Sequence, residues 1–426
     1  MWNSHEKYIR LIIIILFVSL YIIYNYIIKI KVNNLIYSGK IEIKNARDFI
    51  NKLNQFAIYR QPKYILLFDY IYSPICEDTN SFTIFEYCQE NNIENVYYVL
   101  NEKTELYKSL LYQNKTKNII PFKNDAKSNS HLFPFILNSK IIIQSYALFL
   151  FQKVVSHVKY LKFLYICHAV NYFKTSVIKV QLSRLDKSKH NIILTSPYEY
   201  KLYKKMNLYE EKAFHKGGLA RYDRLNYIQK NISEKECILV SFTYRAFRKS
   251  EYKKSLFIKN LYKLLGNEKL ISFLESKNID FIYIQHHHDV RRGRGIDKKS
   301  FPRIVFKEQK KLAHYIEQCS LLITDFSSIS FDFMFQNKPV IFYHIDVKEK
   351  KDFKEKSFMK IDPDNSIYFD NVFSDEKKLV KKIEYYINRN YTLEEGLAEK
   401  YKTLFYNKKN ITQKIVKIIN NIIEIN

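Results

Sequence analysis

The chain runs to 426 residues, 47% of them hydrophobic, more than one ordinary core accommodates, which points to two or three domains. Lys and Arg total 70 against 43 Asp and Glu, a net charge of +27; part of this is general richness in lysine, but so large an excess implies an anionic partner, a phosphorylated substrate or an anionic membrane surface. No long basic tail and no nucleic-acid-binding motif is present, which sets nucleic acid aside, and five scattered cysteines without a C-x-x-C pair set aside a disulfide framework and a zinc site.

The first predicted element is residues 11–28, apolar save Ser19 and Asn25, with Tyr21, Tyr24 and Tyr26 towards one end. A membrane helix needs about 20 such residues, and tyrosine favours the interface. No small-residue cleavage site follows, so a secretory signal is set aside. Lys7 and Arg10 precede the run; Lys29, Lys31, Lys40 and Lys44 follow it, and that larger excess places the body of the chain on the cytoplasmic side.

Short apolar runs then alternate with amphipathic stretches. Strands are predicted at 64–68, 96–100, 118–121, 140–144, 163–167 and 192–195, and a second series at 237–242, 280–285, 320–324 and 339–343. Helices are predicted at 81–91, 197–206, 250–265, 308–317 and 328–336. Strands buried on both faces and alternating with helices predict parallel, doubly wound sheets, and the break near 226–235 predicts two α/β domains facing each other across a cleft. Near the end, Ile411, Ile415, Ile418 and Ile422 recur at helical spacing with Lys414 and Lys417 opposite, a helix expected to dock onto its own domain and not onto lipid.

In open α/β sheets ligands sit beyond the carboxyl ends of the strands. Four unusual groups fall at such ends: His168; Thr243 with Arg245; His286, His287 and His288; and Asp325 through Ser328. Residues 321–333 carry most information. An apolar run ends in Thr324 and Asp325, Ser327 and Ser328 follow, and Phe331, Met334 and Phe335 then recur at helical spacing. A strand feeding a helix N-terminus offers backbone N–H groups and a favourable dipole to a phosphate, and the two hydroxyls add donors; Arg245 and Arg221 are candidate countercharges. Arg221 also has Asp223 nearby as a structural partner. Three adjacent histidines on a strand end alternate between faces and do not all converge, so no metal is expected. The run Arg291-Arg292-Gly293-Arg294-Gly295, with Lys298 and Lys299, reads as a flexible basic loop, either for a polyanionic acceptor or lipid headgroups or merely solvated.

These segments together resemble the CDP-glycerol glycerophosphotransferase family, the enzymes that prime and polymerise teichoic acids and related capsular polyol-phosphate polymers. The resemblance lies in Thr324-Asp325-Phe326-Ser327-Ser328, in Phe331-Asp332, and in Pro339-Val340-Ile341-Phe342-Tyr343 with Asp346 after it. Upstream it lies in Cys167-His168-Ala169-Val170, Thr195-Ser196-Pro197 with Glu199-Tyr200, Gly218 through Leu225 with Arg221 and Asp223, and Phe242-Thr243-Tyr244-Arg245, in the family's order. Ala169 stands where the family has glycine, and which of His286 to His288 matches the family's second histidine is open.

The resemblance implies a GT-B-like pair of Rossmann-like domains that moves a polyol phosphate from a CDP-polyol donor to a hydroxyl of a lipid-linked or polymeric anionic acceptor, releasing CMP without a cofactor. His168 is then the base that deprotonates the attacking hydroxyl, and one of His286, His287 and His288 assists the departing CMP. Thr243, Arg245, Thr324, Asp325, Ser327 and Ser328 hold the donor, with Gly218, Arg221 and Asp223 in support. The expected organisation is a membrane anchor at 1–32, an acceptor-side domain at 33–228, a CDP-donor domain at 229–392 and C-terminal helices at 393–426, on the cytoplasmic face of a bacterial cytoplasmic membrane. Two other readings use the same features: a GT-B glycosyltransferase with a nucleotide-sugar donor, and a non-catalytic, membrane-anchored polyanion binder.

Overall fold

The computed structural model describes residues 62–69, 79–123, 131–132, 135–136, 138–145, 160–172, 190–227, 235–245, 249–346 and 367–424. The predicted anchor at 11–28, Cys76 and the predicted boundary at 228–229 lie outside the described residues. Among the described residues no helix is long and apolar enough to cross a membrane.

Seven strands form the first sheet: β1 (Tyr64–Phe68), β2 (Val96–Asn101), β3 (Ile119–Phe122), β4 (Ser139–Gln144), β5 (Lys162–Ile166), β6 (His190–Leu194) and β7 (Phe214–Lys216), in the order β3-β2-β1-β4-β5-β6-β7. Six form the second: β8 (Cys237–Val240), β9 (Asp280–Ile284), β10 (Val305–Lys307), β11 (Leu321–Thr324), β12 (Val340–Tyr343) and β13 (Val372–Phe373), in the order β10-β9-β8-β11-β12-β13. Every pairing is parallel. Each sheet is therefore wound outward from its first strand and then resumes on that strand's other side. The winding reverses between β1 and β4 in one sheet and between β8 and β11 in the other, and a crevice opens at each reversal.

Central strands such as Leu321–Thr324 are wholly buried, as a continuous apolar run between two helix layers requires. The three strands not predicted, β7, β10 and β13, are two or three residues long, lie at sheet edges and are only half-buried. Without a buried run they carry no strand signature.

The helices that matter to the site are α1 (Asn80–Glu90), α2 (Glu105–Tyr112), α3 (Pro197–Met206) and α4 (Tyr222–Tyr227) in the first half. The second half has α5 (Lys249–Lys254), α6 (Leu256–Leu265), α7 (Glu268–Ser276), α8 (His287–Arg291), α9 (Leu312–Gln318), α10 (Ile329–Phe335) and α11 (Glu376–Asn388), followed by α12 (Leu397–Thr403) and α13 (Ile411–Glu424). The single helix predicted at 250–265 is two: the Ser255 hydroxyl donates to Tyr252 O at 2.7 Å and accepts from Ile258 N at 3.3 Å, ending α5 and capping α6.

The last helix, α13, returns to the first sheet, packing on α1, β4 and β5. Ile411, Ile415, Ile419 and Ile422 are buried on it, and Lys162 Nζ donates to Ile422 O at 2.6 Å. One apolar core consequently runs through both halves, from Ile166, Val170 and Tyr222 to Phe326, Phe331 and Phe335. The Tyr222 and Phe335 ring centroids are 4.3 Å apart at the junction.

Candidate functional site

At the second sheet's reversal, the ends of β8 and β11 are tied together side by side. Thr324 Oγ1 donates to Ser241 O at 2.6 Å, and Asp325 Oδ1 accepts Thr243 N at 3.0 Å. Arg245 completes the knot. Its Nη1 donates to Asp325 Oδ2 at 2.7 Å, while Nε and Nη2 grip Asp346 in a fork at 2.6 and 2.9 Å. Arg245 and Asp325 have no exposed surface. Burial opposes the guanidinium's charge, but Asp346 and then Asp325 outweigh it and raise its pKa above the ordinary value. Arg245, predicted as a countercharge for phosphate, is thus fully engaged by two carboxylates. Thr243, Thr324 and Asp325 are equally interior and shape the crevice from beneath.

Ser327 and Ser328 are half-buried, and among the described residues no hydrogen bond engages either hydroxyl. Ser327 offers only its carbonyl, to Ser330 N at 3.2 Å and Ser330 Oγ at 2.8 Å. Ser328 sits at the N-cap of α10 in helical backbone conformation. Asp332, four residues on, lies on the same helical face. Its Oδ1 meets Arg221 Nη2 at 2.6 Å, both side chains being more than nine-tenths buried. Arg221 therefore pairs across the halves with Asp332 and not with Asp223.

On the first half, β5 ends at Ile166 and the chain turns so that Cys167 and Ala169 are buried while His168 between them is exposed. Ala169, where the resemblance calls for glycine, is accommodated at 7% exposure. The turn is held at both ends. Asn80 Nδ2 donates to Cys167 O at 2.8 Å, and Glu199 Oε1 accepts Asn171 N at 2.6 Å. Glu199 also closes the capping box of α3, its Oε2 accepting Thr195 N at 2.7 Å and Ser196 N at 3.2 Å. Burial pushes its carboxyl up to about 7 against the pull of those three backbone donors.

The triple histidine lies at the start of helix α8, not on a strand as predicted, so its rings do not alternate. Their centroids are 4.2 to 5.3 Å apart, with His286 and His288 each 5.1 Å from the Tyr244 ring. His286 Nδ1 accepts His288 N at 3.2 Å, and Gln309 Oε1 accepts His287 N at 2.7 Å. Burial, then the neighbouring His287, Arg292 and Arg291 charges, lower His288 to about 4, and burial lowers His287 as well. Among the described residues no group of three or more His, Cys, Asp or Glu could hold a metal.

The predicted basic loop is only partly one. Arg291 and Arg292 are exposed, but Arg294 is buried against Asp289 at 3.2 Å. Gly218 and Asp223 lie at the joint with α13. A Cβ on Gly218, whose φ is +148°, would stand 2.8 Å from Ile411 Cγ2. Asp223 accepts Ile411 N at 3.0 Å and Thr412 N at 2.7 Å, capping α13 from outside.

Five residues of the assembly were not predicted as site residues: Asn80, Asn171, Glu199, Asp332 and Asp346. Glu199, Asp332 and Asp346 stand within resembling segments, and the capping box is legible in Ser196 and Glu199. Nothing in the sequence marks Asn80, because its partners lie 87 and 141 residues away.

Two doubly wound Rossmann-like sheets joined through one core define an α/β protein of GT-B-like class. The chain belongs to the CDP-Glycerol:Poly(glycerophosphate) glycerophosphotransferase family, whose sequence model matches residues 62–421. It is 23% identical over 369 residues to the minor teichoic acid biosynthesis protein GgaB of Bacillus subtilis (strain 168), covering 80% of this chain and 38% of that protein. It thus spans less than half the length of this curated relative. Among solved structures, the wall teichoic acid polymerase TagF superposes with a TM-score of 0.57 at 15% identity, over 88% of this chain and 94% of that one. S. aureus MnaA in complex with UDP gives 0.52 at 12% identity, over 84% and 96%. At such identities both show a shared fold.

Proposed function

We propose that the protein transfers glycerol phosphate, or a related polyol phosphate, from a CDP-polyol to a hydroxyl of a lipid-linked or polymeric anionic acceptor, releasing CMP. The observation that carries this reading is the pairing of an exposed imidazole on a pinned turn with two unengaged serine hydroxyls on a helix tied to that turn. Family membership supplies the donor class, and a variant of TagF was soaked with CDPG.

The acceptor oxygen attacks the polyol-bearing phosphorus while His168 takes its proton, and the bond from that phosphorus to the bridging oxygen breaks, the electron pair leaving with CMP. Ser327 and Ser328 donate to the phosphate oxygens, where charge accumulates. His287 and His288, held neutral, serve as hydrogen-bond donors and not as proton donors to the leaving group. In this reading residues 33–228 carry the acceptor side and 229–392 the donor side. Residues 1–32 anchor both to the cytoplasmic face of a bacterial cytoplasmic membrane, where the +27 charge favours anionic lipid and a polyanionic product alike.

The test is incubation of the purified protein and an acceptor with a panel of CDP-polyols and nucleotide sugars, identifying the released nucleotide by mass spectrometry. CMP from a CDP-polyol is expected. A nucleoside diphosphate from a nucleotide sugar would make the protein a glycosyltransferase, and donor binding without turnover would make it a binder.

A further inference from the structure

We propose that Asn80 is a positioning residue that sets the His168 imidazole against the donor-side helix α10. This rests on the transferase reading above and adds to it a part of the machinery outside every resembling segment. Asn80 is 1% exposed and is the first residue of α1, but Thr79 caps that helix, its hydroxyl accepting Phe82 N at 3.3 Å. The Asn80 amide is therefore not needed by its own helix. Its two ends face two other elements: Nδ2 donates to Cys167 O at 2.8 Å, and Oδ1 accepts Arg221 N at 3.2 Å. The opposite amide orientation would set oxygen against oxygen and N–H against N–H, so the network fixes the assignment. Arg221 in turn reaches Asp332 on α10 at 2.6 Å, one turn from Ser328 on the same face.

A continuous path results, from the carbonyl preceding His168 through Asn80 and Arg221 to the helix that carries the serines. Glu199 holds the far end of the same turn through Asn171 N, and His168, between the two ties, is exposed with its Nδ1 3.6 Å from Cys167 Sγ. Placement of a base within a fraction of an ångström governs turnover, and a displacement of about 1 Å costs on the order of 100-fold.

The experiment is a double-mutant cycle on single-turnover CMP release from CDP-glycerol, with the donor dissociation constant measured in parallel. Asn80→Ala should lower the rate about 100-fold and leave the donor dissociation constant within about twofold. In a His168→Ala background the same change should cost less than about twofold, because a positioning residue has nothing left to position. Asn80→Asp keeps the side-chain volume and the acceptor for Arg221 N but turns an oxygen towards Cys167 O; it should behave as Asn80→Ala and carries the test if that variant does not fold. Wild-type turnover of Asn80→Asp, or a full further loss in the His168→Ala background, would overturn the proposal. If His168→Ala itself turned over normally, the reading of His168 as base would fall and this inference with it.

Discussion

A guanidinium with no exposed surface, gripped by Asp325 and Asp346, is not available to a phosphate, and Arg245 must be understood as the brace of the second sheet's crevice. Removing it would strand the buried Asp325 carboxylate and the part-buried Asp346 carboxylate. Arg245→Met is expected to cost about 3–5 kcal/mol, read as a fall in Tm. Ser327→Ala with Ser328→Ala should do the reverse: little change in Tm but a rise in the donor KM of about 10-fold or more, if each hydroxyl donates to a donor phosphate as proposed, a charged hydrogen bond being worth about 1.5 kcal/mol. An unchanged KM would remove the serines from the site. Glu199 makes a pH-dependent prediction. Burial raises its carboxyl from 4.5 to about 7, so the folded protein holds that proton more tightly than the unfolded one. The resulting stability is complete below about 4.5 and is lost as pH rises through 7. Wild type should lose on the order of 3 kcal/mol across that window, and Glu199→Gln should flatten the Tm profile there. At this scale the sequence marked residue types well, but not which of them face inward. Thr324-Asp325 and Ser327-Ser328 read alike as polar residues at a strand end; only the partners Ser241, Thr243 and Arg245, some 80 residues earlier, separate interior brace from crevice wall.

Among the elements, the buried strands were legible because both faces are apolar, whereas β7, β10 and β13 were not, being edges of two or three half-buried residues. The triple histidine was read on a strand because β9 runs up to it; His286 instead starts α8, and its ring capping His288 N is what turns the chain. The closing helix α13 was predicted from its isoleucines, but its destination was not, since Gly218 and Asp223 act on it from nearly 200 residues away. Gly218→Ala would place a Cβ 2.8 Å from Ile411 Cγ2 at a backbone angle that disfavours side chains. The expected cost is about 1–3 kcal/mol, seen in Tm, with the donor KM unchanged. A raised KM at wild-type stability would mean that Gly218 belongs to the donor site.

For the whole molecule, the period of strands and helices foretold two parallel sheets, and the reversal at β8/β11 sets Thr243 and Arg245 beside Thr324 and Asp325, while His168 follows β5 and the triple histidine follows β9. The way the halves lock together was not foretold, because it depends on α13 crossing back and on the Asn80, Arg221 and Asp332 path, all contacts between distant segments. In the proposed reading, that lock holds the histidine after β5 and the two serines after β11 in one site. The most direct test of this claim measures CMP release from CDP-glycerol and donor affinity together, for wild type and His168→Ala. Wild type should release CMP, and the variant should bind the donor within about twofold yet turn over about 100- to 10,000-fold more slowly. A variant that releases CMP at the wild-type rate, with its fold intact by circular dichroism, would contradict the account.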